Sequence, residues 1–446
     1  MYKLKLIIRY LLKRHITHFA VLAVALCVFI VVVVMTVMTG LVGGFAEKNH
    51  EFVGDCVVGT ESLVGFPYYE RFIEKLTEED FVEAVSPVVK SYGLLDVAGY
   101  EQGVEVMGVD PVRHSRTTNF AATLHYRADE PAKAFVSPYD PNAVGCVRGV
   151  DLALGRNSRS EYVYDIQPEE TDITLTCFPL NARGALALAG TWPVRTRKFH
   201  HSDYSHSGIA RADGSLVYIP LEQAQLLCMA GVEKRVTAIH IKFAPGTDVA
   251  HGCARVAELW DAFKQDLAEV PNRYLLDAVT VQDWKRYRRA FIAPMEREQV
   301  LLSLMFVLVG ITTVFIVFVV FYMIISHKRK DIGILKSVGA SNGSVMTLFS
   351  GFALTVGFLG SGVGVLGGCV FLAKINAIEG WLFERFGFQL WDRTVYAIGE
   401  IPHQVDVKVV AVIVCSAVAA CLVGAAVPSY LAARLRPVET LRVGQA

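Results

Sequence analysis

Residues 18–40, 299–326, 346–373 and 407–428 form four apolar, essentially uncharged stretches. Each is long enough, as a helix, to cross a hydrocarbon layer of roughly 30 Å, which takes about 20 apolar residues. A helix packed inside a water-soluble protein keeps one polar face and rarely stays apolar on all sides over such a length. The chain is therefore read as an integral membrane protein with four transmembrane α-helices. Composition adds one constraint. At 53% hydrophobic residues and a mean hydropathy of +0.40, the chain is too apolar for a wholly soluble protein and too polar for one wholly in lipid. The remaining residues must build at least one folded unit in water. Formal net charge is zero, so no basic field points to nucleic acid as a partner.

Lys and Arg beside the spans set the expected direction. Lys3, Lys5, Arg9, Lys13 and Arg14 precede the first span. Lys328, Arg329, Lys330 and Lys336 lie between the second and third, and Arg434, Arg436 and Arg442 follow the fourth. All three groups fall on one side of a four-span chain, which places both termini and the short middle loop in the cytoplasm. Lys285, Arg286, Arg288 and Arg289 fall on the other side, at the end of a long domain where the rule is weak. The first span is too long for a cleaved signal sequence, and no A-x-A site follows it, so it reads as an uncleaved anchor. Residues 1–17 alternate Lys/Arg with Leu and Ile at helical spacing, which suits an amphipathic segment in the cytoplasmic interface.

Residues 41–298 have mixed polarity. Short β-branched runs at Cys56–Gly59, Val104–Met107, Ile173–Thr176 and Ala238–Ile241 read as half-buried strands. Tyr69–Leu76, Pro220–Met229 and His251–Ala268 carry helical patterns. A large α+β extracytoplasmic domain is expected. Its polar middle, about Thr117–Arg211, reads as long loops or a second lobe. Residues 374–406 form a second outer loop, in which Trp381, Phe383, Phe386, Phe388 and Trp391 suit the outer interface. Of the nine Cys, five lie in the outer domain: Cys56, Cys146, Cys177, Cys228 and Cys253. Five is odd, so at least one is unpaired, and irregular spacing without CxxC assigns neither a disulfide nor a zinc site.

Several motifs lose their sharper reading on inspection. Gly362-x-Gly364-x-x-Gly367 matches a dinucleotide fingerprint in letters but lies inside an apolar span with no strand before it. Gly360, Gly364 and Gly368 recur every four residues and read as a helix-packing face. Gly339-Ala340-Ser341-Asn342-Gly343 spells a nucleophile elbow without its strand-turn-helix setting. His200, His201, Asp203 and His206 could ligate a metal, but their polar neighbours favour a solvated loop, and no metal or cofactor site is assigned. No G-x-x-x-x-G-K-[ST] occurs, so this sequence holds no P-loop and is not itself read as an enzyme.

The segment 327–345 is the most informative. Ile332, Leu335 and Val338 recur at i, i+3 and i+6, Asp331 lies near the start, Lys336 near the end, and Gly339 is placed to stop a helix. Arg329, Asp331, Ile332, Gly333, Ile334, Leu335, Lys336, Gly339 and Ala340 resemble the coupling helix of the FtsX-like permeases of ABC transporters, with Asp for the usual Glu and Lys for the usual Arg. Pro428, Ala432, Ala433, Arg434, Pro437, Val438, Glu439, Leu441 and Arg442 resemble that family's C-terminal ending. Met35–Gly40 with Phe45, Pro87, Val104–Pro111, Pro220–Leu227, Val236–Ile239, Asp283-Trp284 and Glu296–Gln299 are similar to its lipoprotein-releasing LolC/LolE-type branch. The likeness spans the chain in architecture and departs at 156–172.

The resemblance implies a MacB-like periplasmic core domain at 41–298. It also implies a cytoplasmic tail at 429–446 and an ATPase-coupling helix using Lys328, Arg329, Asp331, Ile332, Leu335, Lys336 and Gly339. It further implies a partner ABC ATPase dimer that binds ATP and Mg, and a second permease, either the same chain or a paralogue. The implied substrate is a lipoprotein drawn from the outer leaflet of the inner membrane, with a periplasmic carrier to receive it. Two readings on the same architecture stay open here: an FtsX-type mechanotransmitter acting on an extracytoplasmic enzyme, and a MacB-like exporter of small molecules or peptides.

Overall fold

The computed structural model describes residues 15–140, 143–155, 162–186, 194–230, 233–387 and 401–435. Most of the N-terminal amphipathic segment, Phe388 and Trp391, and the C-terminal motif from Pro437 onward lie outside them. The chain divides into a helical unit and a sheet unit, the latter built from Gly44–Ala293.

The first helix, α1 (His15–Val53), contains the first apolar stretch and continues through Glu47, Lys48 and Asn49. Nine strands follow: β1 (Cys56–Gly59), β2 (Val82–Val97), β3 (Tyr100–Val109), β4 (Gly145–Gly149), β5 (Asp172–Cys177), β6 (Arg195–Ser205), β7 (Leu216–Pro220), β8 (Ala238–Phe243) and β9 (Thr280–Asp283). They pair in the order β3-β7-β4-β6-β5-β2-β8-β1-β9. The long strand β2 organises this sheet. Val82–Val88 pairs with β8, Gly93–Val97 with β5, and Val88–Val97 with β3. Because β2 pairs with both β5 and β3, six strands close on themselves, and β8, β1 and β9 extend from them. Closure removes edges that would otherwise template pairing with other chains.

The expected domain middle differs in the structure. Rather than loops or a separate lobe, it supplies β4, β5 and β6 to the one sheet. Alternation explains how two apolar layers coexist. Val217 and Ile219 of β7 face one cluster, and Leu216 and Tyr218 face the other. Helices α2 (Tyr69–Thr77), α3 (Leu221–Cys228) and α4 (Val249–Asp266) cover the larger cluster. α2 buries Tyr69, Phe72, Ile73 and Leu76, one stripe at i, i+3, i+4 and i+7. Trp260 of α4 meets Phe66 and Phe72 edge-on, at 5.5 and 4.8 Å. Burying one such side chain stabilises by about 1.5–3 kcal/mol, and Trp260→Ala would cost about 3–5 kcal/mol.

The helical unit adds α5 (Arg289–His327), α6 (Arg329–Ser337), α7 (Asn342–Phe386) and α8 (Val407–Arg434). Among the described residues, α1, α5, α7 and α8 are long and apolar enough to cross a membrane. The third span was expected to end at 373, but α7 stays helical to Phe386, so Trp381 and Phe383 are helical rather than in a loop. Gly387, at φ +64, ends it in the left-handed conformation that glycine adopts without strain.

Candidate functional site

The loop between α5 and α7 folds as a compact hairpin around α6. Ser341 caps α7, its hydroxyl accepting from the Ser344 amide at 3.2 Å. That cap accounts for the serine in the elbow-like motif. Gly339 stands at φ +102, and the Gly339 and Ala340 amides donate to the carbonyls of Lys336 and Leu335 at 3.1 Å, closing α6 where a glycine stop was expected. Lys328 pairs with Asp331 across the first turn.

The apolar stripe of α6 is not buried as a unit. Ile332 is buried and Leu335 half-buried, but Val338 is 83% exposed, and Ile334 on another face is 54% exposed. Arg329 and Lys330 are exposed beside them. The helix thus anchors through Ile332 and offers a mixed apolar and cationic face. Lys336 has a role the sequence did not suggest. Its ammonium donates to the carbonyls of Ala433 at 2.7 Å and Leu435 at 2.8 Å. The last carbonyls of a helix have no partner within it and carry its negative dipole end. Lys336 satisfies two backbone carbonyls at the end of α8 and ties α6 to it. A basic residue late in a helix was visible in the sequence. Its partners, about a hundred positions away, were not.

The glycines of α7 pack against α1 as a ridge in a groove. A Cβ on Gly360 would come within 2.7 Å of the Val24 Cβ. On Gly364 it would lie 2.5 Å from the Ala25 carbonyl oxygen, and on Gly368 3.0 Å from Val32. Approach this close raises dispersion contact, the main attraction between helices in lipid. Gly362 of the fingerprint-like motif has nothing within 4 Å. Sequence reasoning missed the partners elsewhere: Gly357 of α7 against Val418 and Cys421 of α8, and Gly424 of α8 against Val314 and Val317 of α5. Phe321 and Phe352 join α5 to α7 with rings 5.4 Å apart.

In the sheet unit, the last turns of α1 and the approach to α5 are fastened together. Arg288 was read as a flanking charge, but it is 7% exposed. It donates to Asn49 of α1 at 2.9 Å and lies over Phe291 at 4.0 Å and Phe52 at 5.0 Å. His50 stacks on Trp284 and bonds to Asp55 at 2.7 Å.

The histidine-rich segment is a strand, not a solvated loop. His201 and Asp203 of β6 are buried. Asp203 accepts from the amides of His125, Tyr126 and Arg127, which pins that loop to the sheet. His201 accepts from Arg148 at 3.2 Å, and burial pushes its pKa down to about 2. Among the described residues, no group of three or more His, Cys, Asp or Glu converges as a metal site.

Four helices able to cross a membrane, a sheet unit and the short helix α6 between the second and third spans describe a polytopic membrane protein. The sequence comparisons agree. Residues 303–437 match the FtsX-like permease C-terminal family. The chain is 26% identical over 361 residues to the lipoprotein-releasing system transmembrane protein LolC of Neisseria meningitidis serogroup B, covering 80% of this chain and 78% of that one. LolC of Xylella fastidiosa is 23% identical over 81% of this chain and 78% of its own length. LolE of Haemophilus influenzae is 20% identical over 84% of this chain and 80% of its own. In structure, the periplasmic region of MacB from Actinobacillus actinomycetemcomitans gives a TM-score of 0.31 at 11% identity over 55% of this chain and 97% of that one, too slight a likeness to carry an argument. The chain thus resembles the FtsX-like permeases over residues 303–437 and the LolC/LolE-type proteins along about four-fifths of its length.

Proposed function

We propose that this chain is a permease subunit of an ATP-driven transporter that lifts lipoproteins from the outer leaflet of the inner membrane and passes them to a periplasmic carrier. The observation that carries this reading is similarity to LolC along four-fifths of the chain. In this reading both termini and α6 face the cytoplasm and the sheet domain lies outside. A dimeric ABC ATPase, which holds ATP and Mg, grips α6 through Arg329, Lys330, Ile334 and Val338, while Asp331, Ile332, Leu335 and Gly339 keep the hairpin in shape. Lys336 then carries displacement of α6 to α8, and α1 and α5 deliver movement to the sheet domain they bracket. A second permease and the surrounding lipid cover the exposed apolar face of α5, including Val300, Leu304, Leu308, Ile311 and Phe315.

The energetics favour such a machine over passive binding. Each CH₂ buried in lipid contributes about 0.8 kcal/mol, so freeing two or three acyl chains costs on the order of tens of kcal/mol. A coupled cleft and an apolar acceptor are both needed to offset that.

The test is reconstitution of the chain with its ATPase in vesicles holding a triacylated lipoprotein. ATP-dependent transfer to a soluble carrier should appear, and should vanish with Ile334→Glu plus Val338→Glu. A complex that assembles, hydrolyses ATP and releases nothing would overturn the lipoprotein reading.

A further inference from the structure

The sheet unit holds five cysteines, and the fold sorts four of them into two facing pairs. Cys56 and Val58 of β1 point to the same apolar cluster as Val256 and Trp260 of α4. Cys253 lies one helical turn before Val256, packed against that cluster, with its side chain beside that of Cys56. Elsewhere in the same cluster, Cys177 ends β5 and Cys228 ends α3. Several backbone contacts hold these two residues together. The Leu180 amide donates to the Cys228 carbonyl at 3.1 Å. Arg195, the cross-strand partner of Cys177, reaches the carbonyls of Leu226 and Met229 on either side of Cys228. Gly93, opposite Cys177 in β2, would place a Cβ 3.1 Å from its sulfur. The Cys177 and Cys228 side chains lie side by side in the buried cluster.

We propose that this domain carries two structural disulfides, Cys56–Cys253 and Cys177–Cys228, with Cys146 left as a free thiol. The proposal rests on the extracytoplasmic placement of the sheet domain argued above, because disulfides persist in oxidising compartments and not in the cytosol. All nine cysteines are thiols in the structure, and each proposed bond joins two side chains at one apolar cluster. The oxidant is a protein disulfide of the thiol–disulfide oxidoreductase class. In the second pair Cys228 attacks as the thiolate, and exchanging it with Cys177 leaves the stoichiometry unchanged. Its sulfur bonds to one sulfur of the oxidant and the other leaves as thiolate. Cys177 then attacks the mixed disulfide, displacing the remaining oxidant sulfur. Two protein thiols are oxidised, the oxidant's disulfide is reduced to a dithiol, and two protons pass to it. The first pair follows the same stoichiometry. Burial of both pairs places the exchange before α3 and α4 settle on the sheet. Cys146 has no cysteine among the groups acting on its thiol, which burial pushes up to about 12, outside the reactive range.

The test uses the full chain in native membranes, alkylated at once and mapped by mass spectrometry without reductant. Expected are the linked peptides 56–253 and 177–228, each lacking two hydrogens, with Cys146 alone alkylated among the five domain cysteines once the chain is denatured. Reduction should lower the melting midpoint of the wild-type chain and of Cys146→Ser by the same amount. Five alkylated cysteines, or crossed pairs, would overturn the proposal. Protease added to intact spheroplasts reads the orientation separately. Free thiols in a domain cut from outside sink the disulfides alone, and free thiols in a protected domain sink the orientation with them.

Discussion

Replacing Lys336 by Met keeps the length and apolar stem of the side chain and removes its ammonium. The Ala433 and Leu435 carbonyls, now 2.7 and 2.8 Å from that nitrogen, lose their charged donor. A hydrogen bond to a charged group contributes about 1.5–3 kcal/mol. Lys336 is half-buried, so water takes over part of the lost interaction, and about 1.5 kcal/mol is the expected cost. At 1.4 kcal/mol per decade, the state in which α6 and α8 are joined falls about tenfold relative to the detached one. The assay is lipoprotein transferred per ATP hydrolysed in vesicles. The partner ATPase assembled with Lys336→Met should still hydrolyse ATP, because the exposed face of α6 is untouched, while transfer per ATP drops about tenfold. Lys336→Arg, which can donate to both carbonyls, should recover most of it. Wild-type transfer per ATP in the Met variant would refute the idea that this ammonium transmits movement.

Gly364→Leu should destabilise the helical unit in detergent by about 1–3 kcal/mol through overpacking against Ala25 and Val28, whereas Gly362→Leu, which meets open space, should leave the melting midpoint unchanged. Arg288→Ala removes the bond to Asn49 and two ring contacts and should cost about 2–3 kcal/mol, with Arg288→Gln recovering little because it cannot lie charged over Phe291. The sheet domain should weaken in acid. Burial lowers the pKa of His114 from 6.5 to about 3 and of His201 from 6.5 to about 2. The unfolded chain binds those protons first, so stability is full above pH 6.5 and falls as pH drops toward 3, by up to about 1.4 kcal/mol per pH unit per histidine. Urea midpoints between pH 7 and 4 check this, and His114→Gln should flatten the slope.

Much of the architecture was legible because lipid imposes a strong rule. Uncharged runs had to be helices, and α5, α7 and α8 fall on them. Short strands with β-branched alternation, such as Cys56–Gly59 and Ala238–Phe243, were also readable. β6 was not. Its residues Arg195–Ser205 show no apolar alternation, and the strand is held by ladders to β4 and β5 while Asp203 collects distant amides, signals that local composition lacks. The polar ends of α1 and α7 were hidden for a related reason, since hydropathy marks the membrane rather than the helix. For the candidate site, the hairpin and its glycine stop were legible locally. The link from Lys336 to α8 was not, because it depends on tertiary packing.

The glycine ridge of α7 also limits how this sequence can drift. Each glycine faces a valine or a carbonyl of α1 with no spare room, so the two helices share one fixed volume. A methyl gained at 368 can be offset by losing the Val32 Cγ1 methyl, but at 360 the nearest atom is the Val24 Cβ itself, which only a glycine at 24 would remove. At 364 the facing atom is the Ala25 carbonyl, which no side-chain change can remove, so that position has no trading partner for bulk. Descendants of this chain should therefore show 32 and 368 changing in opposite senses, while 360 gains bulk only where 24 becomes glycine and 364 stays glycine.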